Sequence, residues 1–276
     1  MASDRSPPAQ FETRANGSVD AGQRSRNLVA LLPAAGLVGA VLVLAWAYLG
    51  WMNYGMRNMQ VGADMWIMPR MAGWGAVDVV LVFLMWAVMM AAMMLPSALP
   101  AILLVAKVSS GMTPQQRARV PLTGAFVTGY LVAWSGFSLA ATLVQWALLE
   151  HALVTPMMQS AKQALSAAIL ITAGVYQFTP IKNACLRQCR SPLGLVMEVV
   201  ADPHGALNIG FRHGLYCVGC CWALMALLFV TGVMNLLWVI IIAAYVGLEK
   251  LLPSTRWLSW SAGVILCAAG LWLAIS

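Results

Sequence analysis

Apolar runs of membrane-crossing length recur along this chain, and they leave it few folds to choose from. A bilayer's hydrocarbon core is about 30 Å thick and takes roughly 20 apolar residues in helical form. By that measure the sequence predicts about seven spans: Leu28–Gly50, Val77–Leu99, Pro121–Leu149, Ala164–Phe178, Gly214–Val230, Met234–Leu252 and Trp257–Ile275. The fourth is the weakest, because it is short. The fifth and sixth form one apolar run, divided at Thr231-Gly232 because a single straight helix would overshoot the membrane. Composition agrees. Of 276 residues, 61% are hydrophobic and 9% charged, and the mean hydropathy is +0.80. A soluble domain carries about 25% charged residues. The fold class is therefore all-α, a polytopic transmembrane helix bundle whose first partner is the lipid bilayer.

Residues 1–27 are polar, contain Pro7, Pro8 and Gly17, and have no apolar run, which reads as a disordered tail. The tail is too long and too mixed in charge for the n-region of a signal peptide, and no small-residue cleavage site follows the first span, so that span reads as a retained anchor. The net charge of +7 comes from basic residues in short connections between apolar runs. They act as topology signals, not as a nucleic-acid patch. With the amino terminus cytoplasmic, that side holds Arg5, Arg14, Arg24, Arg26, Lys107, Arg117, Arg119, Lys182, Arg187, Arg190, Arg212, Lys250 and Arg256, while the other holds Arg57, Arg70 and Lys162. Residues 28–276 then make one transmembrane domain, with an external loop at 51–76 and a cytoplasmic loop at 181–213. Without the fourth span, the cysteines would change sides.

Two methionine features stand on the external half. The loop after the first span carries Met52, Met56, Met59, Met65, Met68 and Met71. Thioethers bind Cu(I) without deprotonation, although methionine also fills gaps at membrane interfaces. In the second span Met85, Met89 and Met93 repeat every four residues and share a helical face, with Asp78 on that face near the external end. An acid inside a span is a functional candidate, because leaving it unpaired in lipid is costly. Pro96 and Pro100 each remove a backbone donor from the inner half and are expected to bend it. The competing reading is a packed helix interface that Ala91 and Ala92 bring close.

The cysteines carry the strongest signal. Cys217, Cys220 and Cys221 lie within a third of a helical circumference, with His213 four residues before Cys217 and Met225 four after Cys221. Cys185 and Cys189 form a second group beside Arg187 and Arg190, cations that favour thiolate, the form that binds metal or attacks. On a cytoplasmic face all five stay reduced. The loop between the groups is long enough to let them meet. Five thiols exceed a structural zinc site, whereas two or three suit Cu(I), which makes copper(I) the expected ion and zinc the alternative. Cys267, alone in the last span, reads as packing. His204 sits in a polar turn, and His151 beside Glu150 reads as an interfacial pair. Glu249-Lys250 is expected to snorkel at the inner end of the sixth span.

The segments Trp86-Ala-Val-Met-Met-Ala-Ala-Met-Met-Leu-Pro-Ser97, Cys185-Leu-Arg-Gln-Cys-Arg-Ser-Pro192 and Gly214-Leu-Tyr-Cys-Val-Gly-Cys-Cys-Trp222 resemble the bacterial family of predicted metal-binding integral membrane proteins of unassigned function. The likeness covers roughly Asp78 to Lys250. It implies a multi-span protein of the inner membrane with a metal site.

Together these features predict a soft-metal protein. The methionines and Asp78 collect the ion, the Met85/Met89/Met93 face conducts it, and Cys185, Cys189, Cys217, Cys220 and Cys221, with His213, receive it. A periplasmic or cytoplasmic metallochaperone is the expected protein partner. No Gly-rich phosphate loop is present to power transport. One alternative is a membrane thiol–disulfide oxidoreductase, since Cys217-Val-Gly-Cys220 at a helix start has the form of a redox pair. It leaves Cys221 without a role. The other is a non-transporting assembly factor for a metalloenzyme.

Overall fold

The computed structural model describes residue 36 and residues 38–55, 74–112, 122–151, 163–202, 204–233, 235–252 and 256–276. The amino-terminal tail and Met56, Met59, Met65, Met68 and Met71 of the external loop lie outside them. Every described element is helical: α1 (Val38–Gly55), α2 (Ala76–Ser110), α3 (Leu122–Glu150), α4 (Gln163–Gln177), α5 (Pro180–Cys189), α6 (Pro192–Ala201), α7 (Ala206–Ala226), α8 (Leu228–Thr231), α9 (Leu236–Leu251) and α10 (Arg256–Ile275). Among the described residues, five helices are long and apolar enough to cross a membrane: α1, α2, α3, α7 with α8, and α10. The expected fourth span is the 15-residue α4, which bends by 65° into α5. The expected sixth is the 16-residue α9.

The short α4 nevertheless runs the length of α10. At its start Gln163 donates to the Leu273 carbonyl and Ser276 hydroxyl; near its end Phe178 packs edge-on against Trp260. The two helices meet closely because Gly174 and Gly263 lack side chains. A Cβ on Gly174 would stand 2.5 Å from Cys267 Sγ. The expectation that Cys267 packs fits this contact. After α4, Pro180 sits at the first turn of α5 and Thr179 caps it, accepting from the Lys182 amide. Proline has no amide to donate and is tolerated at a helix start, so a new helix begins at a new angle.

At the far end of α7, the expected break at Thr231-Gly232 is present. Gly232 has φ 90°, a left-handed value that glycine adopts without a Cβ penalty, and the chain turns there into α9. Pro96 and Pro100 lie inside an unbroken 35-residue α2, about 52 Å long at 1.5 Å per residue. The segment 181–213, read from the sequence as a loop, is built from α5, α6 and the first turns of α7.

Candidate metal centre

The α3–α7 crossing determines where the cysteines go. A Cβ on Gly210 would stand 2.1 Å from the Phe126 carbonyl, and one on Gly129 would stand 2.0 Å from that of Leu207. Gly210 and Gly214 are one turn apart on the same face, the small-residue spacing that lets helices approach to backbone contact. One further turn along is Cys217. Because α7 starts at Ala206, the three thiols sit in its middle and not at the helix start expected from the sequence. All three are buried. Cys220 and Cys221 each donate to the Cys217 carbonyl, at 3.1 and 3.0 Å, which holds both on one face.

Helix α5 brings in the second group. Cys185 lies against Gly219, where a Cβ would be 2.8 Å from its sulfur. The Cys189 thiol interacts with that of Cys220, which also interacts with Cys217 and Cys221. Cys220 thus stands between Cys189 of α5 and the other two thiols of α7. Tyr176, on α4, donates its hydroxyl to the Gly219 carbonyl and braces the junction. Among the described residues no three His, Cys, Asp or Glu side chains form a ready coordination shell. The Cys220 and Cys221 thiols bond to the backbone of their own helix.

Three other helices close the cluster. Tyr130 Oη on α3 is 3.0 Å from Cys217 Sγ and donates to the Met94 carbonyl at 3.2 Å. Lys250 Nζ, in the last turn of α9, donates to Cys217 Sγ and Ser97 Oγ, both at 2.9 Å. The fully buried Met94 on α2 places its sulfur 4.0 Å from Cys221 Sγ. Lys250 therefore turns inward to the thiols and does not snorkel.

Its neighbour Glu249 also turns inward, toward different helices. Glu249 Oε1 accepts from Lys182 Nζ, Ser259 Oγ and, at 3.2 Å, Tyr245 Oη; Lys182 also donates to Gln177. Both charged side chains are almost wholly buried, at 0% and 2% exposure. Arg190 donates to the Glu249 carbonyl, which ties the Cys189 turn to the same junction.

The remaining expected residues are placed less centrally. His213 packs its ring against Phe126 and Tyr130, with centroids 5.7 and 6.2 Å apart. Met85 and Met89 join Met52 around a void of about 10 Å³, at most one water's space. Met93 and Met225 are buried core residues. Asp78 accepts from the Gly75 amide at 2.9 Å and so caps α2, about 24 Å along the helix from Met94. The side chains that touch the thiols and were not picked out from the sequence are Met94, Tyr130 and Lys250, with Ser97 held by Lys250 behind them. Met94 and Ser97 stand inside the methionine-proline motif, and a lysine in an apolar run was itself a signal. Tyr130 gave none.

Beside the cluster is a cavity of about 200 Å³, whose wall includes Ser97, Cys189, Arg190, Ser191, His213 and Lys250. A family model described as PpoB2, copper chaperone, matches residues 83–273, which takes in every one of these side chains and leaves out Asp78. The chain matches no curated protein and no solved structure.

Proposed function

Because the chain belongs to the PpoB2 copper-chaperone family, we propose that it is a multi-pass protein of the bacterial inner membrane that takes copper as Cu(I) at the α5–α7 thiols and hands it over. The observation that carries this reading is the burial of Cys217, Cys220 and Cys221 on one face of α7, with Cys185 of α5 packed against Gly219 and Met94 Sδ 4.0 Å from Cys221 Sγ. Thiolate and thioether sulfurs are the soft donors that favour Cu(I). Cys217, Cys220 and Cys221 are the central ligands, Cys185 and Cys189 the pair brought by the short α5, and Met94 the thioether link to α2.

The basic residues around the cluster support thiols that lie within α7 and are reached from the cytoplasmic end of the bundle. The α4–α10 pairing carries the chain across the bundle although α4 is short, which keeps α5, the start of α7 and the end of α9 together at one end. Lys182, Arg187, Arg190, Arg212 and Lys250 gather there, and positive charge marks the cytoplasmic side. The ladder of Met85, Met89 and Met93 is closed in this conformation, so handover at the inner end is the better-supported activity and passage from the outside needs helix movement. A thiol–disulfide exchanger is less well supported, since three thiols share one face of α7, which leaves one of them outside a two-pair exchange.

The test is Cu(I) titration of reduced protein under anaerobic conditions. One to two ions should bind, and the double variant Cys217→Ser/Cys221→Ser should lose them. Full retention by that variant overturns the thiol site.

A further inference from the structure

The 200 Å³ cavity opens onto the cluster through Cys189 and Lys250, and its wall has a definite chemistry. Two cationic side chains, Arg190 and Lys250, stand in it with the imidazole of His213 and the hydroxyls of Ser97 and Ser191. No Asp or Glu lines it among the described residues. Lys250 has no carboxylate within ion-pair distance among the described residues; its ammonium donates to a hydroxyl and a thiol. An ammonium has three protons to donate, and these bonds use two. Two cations and no carboxylate give this half-buried wall a positive character that suits an anion. The volume equals that of about six or seven waters, well below a drug-sized pocket.

We propose that this cavity binds a small thiol carboxylate, with the carboxylate on Lys250 and the sulfur beside Cys189, as the carrier that exchanges copper with the cluster. The proposal rests on the copper reading above. The exchange is a ligand substitution. A protein thiol forms a new Cu–S bond, the carrier's Cu–S bond breaks, the proton of the incoming thiol passes to the departing thiolate, and copper remains Cu(I). Cys189 is the natural first acceptor, because it belongs both to the cavity wall and, through Cys220, to the cluster. Lys250 serves both partners: it holds the carrier and touches Cys217, the residue on which the ion ends.

The anion site can be tested without copper. Metal-free, reduced, full-length protein is alkylated with iodoacetate or with iodoacetamide, reagents of similar size that differ in charge, and the rate at Cys189 is read by mass spectrometry. The iodoacetate-to-iodoacetamide rate ratio at Cys189 should be at least tenfold higher in the folded protein than in the same chain unfolded. Lys250→Arg should keep that selectivity and Lys250→Gln should lose it. Thiol reactivity itself cancels in the ratio, and the wild-type ratio decides the matter even where a variant fails to fold. A ratio no higher than in the unfolded chain overturns the proposal. In a second arm, Cu(I) is supplied as its mercaptoacetate or its 2-mercaptoethanol complex. Faster transfer from the mercaptoacetate complex supports the carrier role, and equal rates overturn it. Should wild-type protein take no copper from either complex while anion-selective alkylation persists, the copper reading falls and the anion site stands.

Discussion

Lys250 Nζ lies 2.9 Å from Cys217 Sγ, joining residues 33 positions apart in the chain and making the last turn of α9 part of the thiol site. Two neighbours on that turn reach different helices. Glu249 binds α4, α5 and α10 together through Lys182, Gln177 and Ser259, while Lys250 reaches α2 and α7 through Ser97 and Cys217. A shift of α9 therefore moves the charge at the metal site and the ion pair behind it together.

The first prediction concerns that charge. Copper held by two thiolates carries excess negative charge, which the Lys250 ammonium offsets. A hydrogen bond to a charged group contributes about 1.5–3 kcal/mol. Lys250→Gln should therefore weaken Cu(I) binding by roughly 10- to 100-fold, since about 1.4 kcal/mol is a factor of ten. Competition with a chromogenic Cu(I) chelator measures it. An unchanged affinity would show that the ammonium is not a counter-charge to copper.

The second separates two adjacent methionines. Met94→Leu preserves the volume of a fully buried side chain but removes the sulfur beside Cys221. Volume-conserving swaps in a core usually cost less than about 1.5 kcal/mol. The variant should remain folded, bind Cu(I) more weakly and lose one sulfur neighbour in the copper X-ray absorption spectrum. Met93→Leu, at an equally buried position in the face read from the sequence, should leave that spectrum unchanged. The reverse pattern would restore the Met85/Met89/Met93 ladder as the ligand face.

The third addresses the buried ion pair. Removing one partner of a buried pair leaves the other charge uncompensated and costs about 3–5 kcal/mol. Lys182→Met alone and Glu249→Leu alone should each sharply lower the melting temperature in detergent. The double variant Lys182→Met/Glu249→Leu should recover most of it, because no charge is then stranded. Melting of the two singles at the wild-type temperature would mean that water reaches the pair.

Helix content and the shared face of Cys217, Cys220 and Cys221 were legible in the sequence for a simple reason. Apolar length and the 3.6-residue repeat are local properties, and Cys217, Cys220 and Cys221 share a face whatever surrounds them. The helix break at Gly232 was legible because total apolar length exceeded one bilayer. What was not legible is tertiary. Tyr130 meets Cys217 only because Gly129, Gly210 and Gly214 bring α3 and α7 to backbone contact. Glu249 and Lys250 looked like a boundary pair because sequence cannot say that Lys182, from another helix, would meet the carboxylate. Met94 was passed over in favour of Met93 because a four-residue rhythm selects a face without saying which face the thiols touch. His213 shares the cysteine face by counting, yet its ring is held by Phe126 and Tyr130.

The last prediction uses the tightest place in the site. Gly219 immediately precedes Cys220, at a position where a Cβ would come within 2.8 Å of Cys185 Sγ. Gly219→Ala must therefore push the Cys185 side chain away, and the Gly219 carbonyl is fixed by Tyr176 so that α7 cannot easily retreat. A single added methyl group leaves the apolar core intact, so the variant should fold. Cys185 should become more reactive toward a small maleimide, by about tenfold, while Cys217 and Cys221 keep their wild-type rates. Cu(I) stoichiometry should stay the same if Cys185 is only a transfer ligand, and fall if it is a resident one. Unchanged Cys185 labelling would show that α5 does not lie against α7 at Gly219, and the five-thiol arrangement would lose one of its members.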